Sequence, residues 1–303
     1  MPDISGRNSN LGGDDMMYRK GDFHIHTKYS DGKYTPKEVI DLARKSSLDV
    51  IAITDHDTVA GVEEAVRLGQ ESSIRVIPGI ELSTVHEGES IHVLGYFKDV
   101  SMISPEFREH LKNIHLQRYN RAAEMVDRLD KAFSIKISLE KIMKETSGVI
   151  ARPHLAKAII EAGYDYEWNY IFENIIHRES PAYVPSVKMT TEEGLDLLSS
   201  AGALRVLAHP ALIKKSNVEL LLKMGFDGME SKYYSNSIEE TDRYLRMAAE
   251  HRKLVTAGSD FHGIAETDHS HSMEVGSVFL GKDEIQSFMM ELNKTEIKKK
   301  GIL

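Results

Sequence analysis

Two histidines one residue apart, His24 and His26, lie in the stretch Asp22-Phe23-His24-Ile25-His26-Thr27, with Asp31 close behind. In an extended strand this alternation puts both imidazoles on one face and Phe23 and Ile25 on the other. Neutral imidazole is a nitrogen donor for divalent metals, so a strand ending in such a pair supplies half of a metal site. A hydrogen-bonded pair of core histidines would satisfy the same pattern; recurrence separates the two readings. Thr54-Asp55-His56-Asp57 follows the apolar run Val50 to Ile53, and Glu81 falls between Ile80 and Leu82. His92 falls between Ile91 and Val93, His209 follows Val206-Leu207-Ala208, and Asp260 and His262 follow Leu254 to Gly258. A glutamate in the position of Glu81 must reach solvent or meet a cation, because burying an unpaired carboxylate is costly. Asp55 or Asp57 has an ordinary use as a helix N-cap. Pro210 halts strand pairing after His209, and Gly258 and Gly263 let backbone and ligand approach closely. Each residue has a structural account taken singly. Because the same chemistry returns at the ends of nearly all the buried runs, their joint reading is a polynuclear metal site. With no cysteine in the chain, its donors are nitrogen and oxygen, which suits Zn, Mn or Fe.

The elements that must position these residues alternate between strand and helix. Strands are expected at Asp22–His26, Asp49–Thr54, Arg75–Leu82 and Ile91–Phe97. Between them lie a helix at Pro36–Lys45, with Thr35 as N-cap, Pro36 at N1 and Glu38 completing a capping box, and another at Val62–Gln70. Strands separated by helices suggest parallel βα units, whose carboxyl ends carry sites in α/β proteins. The rhythm breaks between Ser101 and Ala182, where the patterns are helical: Phe107–Lys131, Leu139–Glu145, Pro153–Glu161 and Glu167–His177. It resumes with strands at Leu204–Ala208, Phe226–Glu230, Leu254–Gly258 and Val275–Leu280. The expected organisation is a leader over 1–19, a βα core over 20–100 and 183–303, and a helical insertion over 101–182 placed as a lid. Lys298-Lys299-Lys300 reads as a solvated helix end. His110, His115, His177 and His251 read as surface or packing residues of helices, His86 as a loop residue, and His269 and His271 as loop residues outside the site.

The formal charge of −9 argues against non-specific binding of long duplex DNA. It leaves room for a small anionic ligand, because bound divalent cations invert the local field. No uninterrupted apolar run approaches the roughly 18 residues of a membrane span, and the N-terminus lacks a signal-peptide pattern, so a cytoplasmic protein is expected. The segment 105–185 carries twelve Lys and Arg against twelve Asp and Glu. By that count it is no basic clamp for long nucleic acid, and a nucleotide or a short RNA end is favoured.

In their order along the chain, these motifs resemble those of the PHP (polymerase and histidinol phosphatase) family over about residues 20–280. Stretches similar to Arg152-Pro153-His154 and Pro181-Ala182-Tyr183-Val184-Pro185 mark its stand-alone phosphoesterases with a helical insertion. Those include phosphatases of AMP and of 3′,5′-bisphosphate nucleotides, and a 5′-to-3′ exoribonuclease. The resemblance implies an α/β fold, a distorted seven-stranded β/α barrel, with two to three divalent metal ions at the carboxyl ends of its strands. It implies one metal on His24, His26, Glu81 and Asp260. Glu81 would bridge to a second metal completed by His92 and His209, and Asp31, His56 and His262 would hold the third. Some relatives have histidine where this chain has Asp31, which makes the third site more anionic here. Glu81, Asp260, His262 and His56 would surround the reacting centre, while Arg152 and His154 would reach a substrate phosphate from the insertion. The expected activity is metal-dependent hydrolysis of a phosphate ester. A metal-dependent amidohydrolase and a non-enzymatic metal or nucleotide sensor are the other classes the pattern admits. The first would usually lean on a metal-bridging lysine, for which Lys232 is the one candidate near a strand end.

Overall fold

The computed structural model describes residues 18–145, 152–185, 188–263, 272 and 274–296. The expected leader up to residue 17, His269, His271 and the terminal lysine run lie outside the described residues. The first half of the core comprises β1 (Lys20–Ile25), α1 (Pro36–Lys45), β2 (Val50–Ile53), α2 (Val62–Glu71), β3 (Arg75–His86) and β4 (Glu89–Tyr96). The helical segment follows, with α3 (Pro105–Phe133), α4 (Leu139–Glu145), α5 (Arg152–Glu161) and the short α6 (Trp168–Tyr170), which runs into a π-helical turn at Ile171–Ile175. The second half comprises α7 (Thr191–Ser200), β5 (Leu204–Leu207), α8 (Val218–Leu222), β6 (Gly228–Tyr233), α9 (Ile238–Glu250), β7 (Leu254–Gly258), β8 (Leu280–Gly281) and α10 (Lys282–Asn293). The Thr35–Glu38 capping box opens α1 as its sequence predicts. Equivalent boxes, Thr190–Glu193 and Ser237–Glu240, start α7 and α9.

The strands form one sheet in the order β7-β6-β5-β4-β3-β2-β1-β8. It curls until the end of β1 meets the chain leaving β7, where His26 N donates to Phe261 O at 3.0 Å. The result is a nearly closed β/α barrel. Two features depart from the expected parallel pattern. β4 pairs antiparallel with both β3 and β5, because the turn Glu87-Gly88 has both residues at positive φ, the requirement of a two-residue hairpin. His86 is accordingly the last residue of β3 rather than a loop residue. The strand expected at Val275–Leu280 shrinks to the two residues of β8, paired antiparallel with β1. Before it, Gly276 sits at φ 76° and the Ser272 and Ser277 hydroxyls bond each other at 2.8 Å, so local side-chain bonds replace a ladder.

Two bulges aim the site residues. Asp22 pairs with Ile51 and Ile25 with Ile53, so β1 carries one extra residue. As a result Phe23 and Ile25 do not share a face: Phe23 joins the cluster of Tyr96 and Phe288, and Ile25 packs with Val39, Ile40 and Ile51. His24 and His26 still converge. In β6 a second irregularity lies between Glu230 and Lys232. It lets Glu230 and Tyr233, three apart, both reach the site. Re-aiming a side chain is a recurrent use of a bulge.

One core fills the barrel and is plugged by α10, whose Phe288 ring lies 4.5 Å from Phe23 and 5.1 Å from Tyr96. Outside the sheet, α1 and α2 cover β1 and β2, while α7, α8 and α9 cover Ile80, Leu82, Val93, Leu207 and Met229. The helical segment has its own cluster around Met125, Leu129, Leu155, Ile159, Ile171 and Ile175. The start of α3 belongs elsewhere. Met102, Ile103, Phe107 and Leu111 are buried in the barrel's outer core, so a boundary at residue 101 would cut through it. Among the described residues, no helix is long and apolar enough to cross a membrane.

Phe107→Ala should therefore destabilise the barrel by about 3–5 kcal/mol, seen as a lower urea midpoint. Replacing 122–182 by a short glycine linker should leave a cooperatively unfolding barrel, whereas excision from residue 101 should not. Equal stability of the two deletions would show that the start of α3 contributes nothing to the barrel.

Candidate metal centre

The barrel mouth brings together every residue of the predicted donor set. Glu81 lies at its middle, fully buried in β3. Its Oε1 stands 2.9 Å from His92 Nδ1 and 3.0 Å from His209 Nε2. Its Oε2 stands 3.2 Å from His24 Nε2, 3.2 Å from His26 Nε2 and 3.1 Å from His56 Nδ1. Asp260 Oδ1 lies 3.2 Å from both His24 Nε2 and His26 Nε2, which are 3.1 Å from each other. A tetrahedron with edges of that length has its centre about 2.0 Å from each donor, the bond length of zinc to imidazole or carboxylate. His24, His26, Glu81 and Asp260 are thus spaced for one cation.

Two further groups of donors lie within 4.8 Å of one another: His26, Asp31, His56 and His262, and His56, Glu81 and His92. Asp31 Oδ1 is 3.2 Å from His262 Nε2 and 3.5 Å from His26 Nδ1, and its Oδ2 is 3.7 Å from His56 Nε2. The geometry differs in three details from the arrangement implied by resemblance. His26 faces two groups, one with each ring nitrogen, and so does His56. His209 reaches Glu81 without closing a compact group of three. His92 arrives from the first half of β4, not from a strand's carboxyl end, because the hairpin reverses that strand's direction.

The electrostatics fit cations at this mouth. Glu81 Oε2 is buried and accepts no hydrogen bond among the described residues, although three imidazoles crowd it. Burial alone would raise the Glu81 pKa. The charges of His56, His24 and His92, with the His209 hydrogen bond, outweigh it and hold the carboxyl well below its ordinary range. Burial opposes charge on His26 too, but the neighbouring Asp260 and Glu81 carboxylates and the charge of Asp31 push it up to about 10. On His56 burial wins, and its pKa falls to about 4. Such a set of lone pairs facing common points matches nitrogen- and oxygen-binding divalent metals.

A ring of supporting groups went unread in the sequence. Glu230 accepts from His24 Nδ1 at 3.0 Å and from the His209 amide at 2.8 Å, fixing one imidazole and one strand end. Its signal was a glutamate at the carboxyl end of the strand expected at Phe226–Glu230. Tyr233 donates to Asp260 Oδ2 at 2.9 Å, which leaves Oδ1 toward the imidazoles. Asp22, whose pKa burial pushes up to about 6, accepts from the backbone N–H groups of His24, Ser259 and Gly276. Asp55 takes Thr27 and Ser30, and Asp57 takes the Ser83 amide and Arg118. Neither caps α2, whose N-cap is Gly61. Three of the strand-end residues, Asp57, His209 and Asp260, hold positive φ, a strain found where function fixes geometry. Gly258 serves a neighbour rather than a ligand: a Cβ there would lie 2.2 Å from His24 Cβ. Gly263 likewise abuts the Tyr34 ring. Lys232 is committed to Glu284 of α10 at 2.5 Å and joins none of the donor groups.

Above the donors, a cavity of about 1640 Å³ extends from His92 and Asp57 to α3, α5 and the chain after it. Arg118, Arg121, Arg152, Arg178 and Lys188 line it, with Glu124, Glu193 and Asp196. Burial and then the charges of these four arginines depress the Lys188 pKa, which marks a common positive field. An even charge count along 105–185 hid this clustering. Arg152 lies over the Phe172 and Tyr183 rings at 5.8 and 6.0 Å. The pKa of half-buried His154 is lowered by burial, against the pull of Asp31. His110 lines the cavity as well, and His115 donates to Asp57 O at 2.9 Å.

Comparison with known proteins agrees with this geometry. The model of the PHP domain matches residues 22–255. The chain is 32% identical over 252 residues to the 5'-3' exoribonuclease Rnm of Escherichia coli, covering 80% of this chain and 84% of that protein. It is 28% identical over 253 residues to a 3',5'-nucleoside bisphosphate phosphatase of Chromobacterium violaceum, covering 81% and 88%. A solved structure described as a metal-dependent phosphoesterase of Bifidobacterium adolescentis aligns with a TM-score of 0.69 at 29% identity, over 89% of this chain and 95% of that one. Another, described as an amidohydrolase from Chromobacterium violaceum with bound sulfate and no metal, aligns at 0.70 and 26% identity over 90% and 96%.

Glu230→Gln keeps every donor of the centre but removes the anion that orients His24. Loss of such a partner should weaken metal binding about 10- to 100-fold, measured by competition with a chromophoric chelator. Unchanged affinity would show that His24 is oriented without it.

Proposed function

The chain belongs to the PHP domain family, and on that premise we propose that it is a metal-dependent phosphoesterase acting on a nucleotide or on the 5′ end of short RNA. The observation that carries this reading is the juxtaposition of donor groups spaced for cations with a cavity whose roof holds clustered arginines. Two to three divalent ions, of Mn, Zn or Fe, are the proposed complement. His24, His26, Glu81 and Asp260 would hold one, Glu81 with His56, His92 and His209 a second, and Asp31, His56, His262 and His26 a third. When bound, such ions acidify a water and neutralise phosphate oxygens as charge builds on them.

The chain's own residues then do the rest. Glu81 and Asp260 supply the fixed negative charge, and Glu230 and Tyr233 keep His24 and Asp260 aimed. His56 and His262 flank the reacting centre from the side of Asp31. The helical segment beyond the barrel-packed start of α3 is proposed as a lid. From it Arg152, held over two rings, presents a planar guanidinium to a phosphate, a two-pronged match that lysine cannot copy. His154 adds a second contact on the Asp31 side. The phosphatase and exoribonuclease named among the relatives both cleave phosphate esters of nucleotides, which supports the substrate class.

Phosphate release from AMP, a 3′,5′-bisphosphate nucleotide and a 5′-phosphorylated oligoribonucleotide, each with and without a chelator, tests the reading. Activity should vanish on exhaustive chelation and return with added metal. Arg152→Lys should lower kcat/KM about 10- to 100-fold, the worth of one charged hydrogen bond, with metal content intact. Activity that survives chelation, or hydrolysis of an amide but of no phosphate ester, would overturn it.

A further inference from the structure

Of the insertion's aromatic run Tyr164, Tyr166, Trp168, Tyr170 and Phe172, only Phe172, under Arg152, has a part in the chemistry described so far. Three of its rings brace the segment. Tyr166 stacks between Tyr164 and Tyr170, with interplanar angles of 10° and 5°. The Tyr164 hydroxyl is tied to the start of the chain after α3, accepting from Lys136 N and donating to Ser134 O. The other two point a different way. Residues 168 and 172 are neighbours on one side of the helical turn, with ring centroids 5.3 Å apart. Phe172 lines the phosphate cavity under Arg152. Trp168, packed on Phe172, is 44% exposed. Arg152, Phe172 and Trp168 thus form an unbroken path from the cavity to the surface.

We infer that Trp168 is a stacking platform for a downstream base of single-stranded RNA whose 5′ end lies in the cavity. This rests on the phosphoesterase reading and extends it to the polymer. A large exposed indole beside a cationic groove is the combination by which proteins hold single strands, because every base has a π-face. The two charged residues just before Trp168 in the chain, Asp165 and Glu167, are acidic, so the contact is ring to base rather than charge to backbone. The bracing of the neighbouring tyrosines fixes the platform before binding, which reduces the ordering cost. A mononucleotide has no downstream base to place on Trp168, so the residue favours an oligonucleotide over AMP.

Trp168 is the chain's single tryptophan, so its fluorescence reports the contact directly. The metal-loaded protein is titrated with a hydrolysis-resistant 5′-phosphorylated phosphorothioate hexa-adenylate and with AMP. The hexamer should quench the emission saturably and AMP should not. In turnover, Trp168→Ala should raise KM for the 5′-phosphorylated hexa-adenylate about tenfold and leave kcat and AMP hydrolysis unchanged. Trp168→Phe should restore most of the loss. Equal quenching by AMP and hexamer, or an unchanged KM in Trp168→Ala, would overturn the platform. So would emission and sedimentation that change together with protein concentration, which would make this face a contact between copies of the chain. If neither substrate is hydrolysed, the phosphoesterase reading fails instead, and the binding titration still decides the platform.

Discussion

Everything at the barrel mouth is arranged about one buried carboxylate. Glu81 sits in β3 with no exposed surface, and five imidazoles, from β1, β4 and the chain just after β1, β2 and β5, face its two oxygens at 2.9–3.2 Å. An isolated carboxylate in such a place would cost several kcal/mol of lost hydration. Imidazoles alone repay this only by holding protons, and protons on five crowded rings repel one another. Burial depresses the His56 pKa, and the charges of His26 and His92 add to it. Divalent cations between oxygen and nitrogen resolve it without protons, since each neutral ring then donates a lone pair. The same carboxylate thus explains why so many strands end in histidine and why the sheet must curl far enough for β1 to meet the end of β7.

The support around this carboxylate is graded by distance. Glu230, Tyr233 and Asp22 touch the donor residues, and each is buried where an error of position would be costly. Gly258 is small because His24 and Glu230 leave no room for a Cβ. Further out, α10 stacks Phe288 on Phe23 and Tyr96, and the Tyr96 hydroxyl bonds Phe23 O, one residue before His24. The apolar plug at one end of the barrel is therefore connected to the donor set at the other through two adjacent residues of β1.

Much of this was legible in the sequence, and the remainder was hidden for definable reasons. The donor residues could be found because each follows or interrupts an apolar run, and polar residues in such places carry strong chemical constraint. α1 was legible from its capping box to its last residue. The bulges in β1 and β6 were not, because alternation assumes an even count and one extra residue breaks it. Glu230 was passed over for that reason, as it shares the site with Tyr233 at an odd spacing. The reversal of β4 turned on two turn residues, Glu87 and Gly88, outside any periodic pattern. The start of α3 read as part of the insertion because helical periodicity does not say which body a helix face covers, and Phe107 and Leu111 cover the barrel.

The cationic roof was hidden for a different reason. Charge counted along the chain averages over all faces of a helix, whereas a ligand meets one face. On α3, Arg128 and Lys131 pair with Glu124 and Asp127 one turn away, while Arg118 and Arg121 line the cavity, Arg118 already bound to Asp57 below the donor groups. The barrel therefore presents anions and imidazoles suited to cations, and the insertion presents cations suited to an anion. The Arg118–Asp57 ion pair, 2.6 Å long and largely buried, joins the two layers. On the proposed function, an ester between them would have its phosphate oxygens drawn to both sides by charges from separate elements of the chain. That division reconciles a net charge of −9 with the proposed binding of a phosphate ester: the field that matters is local, and the fold creates it by turning one face of α3 toward the barrel mouth.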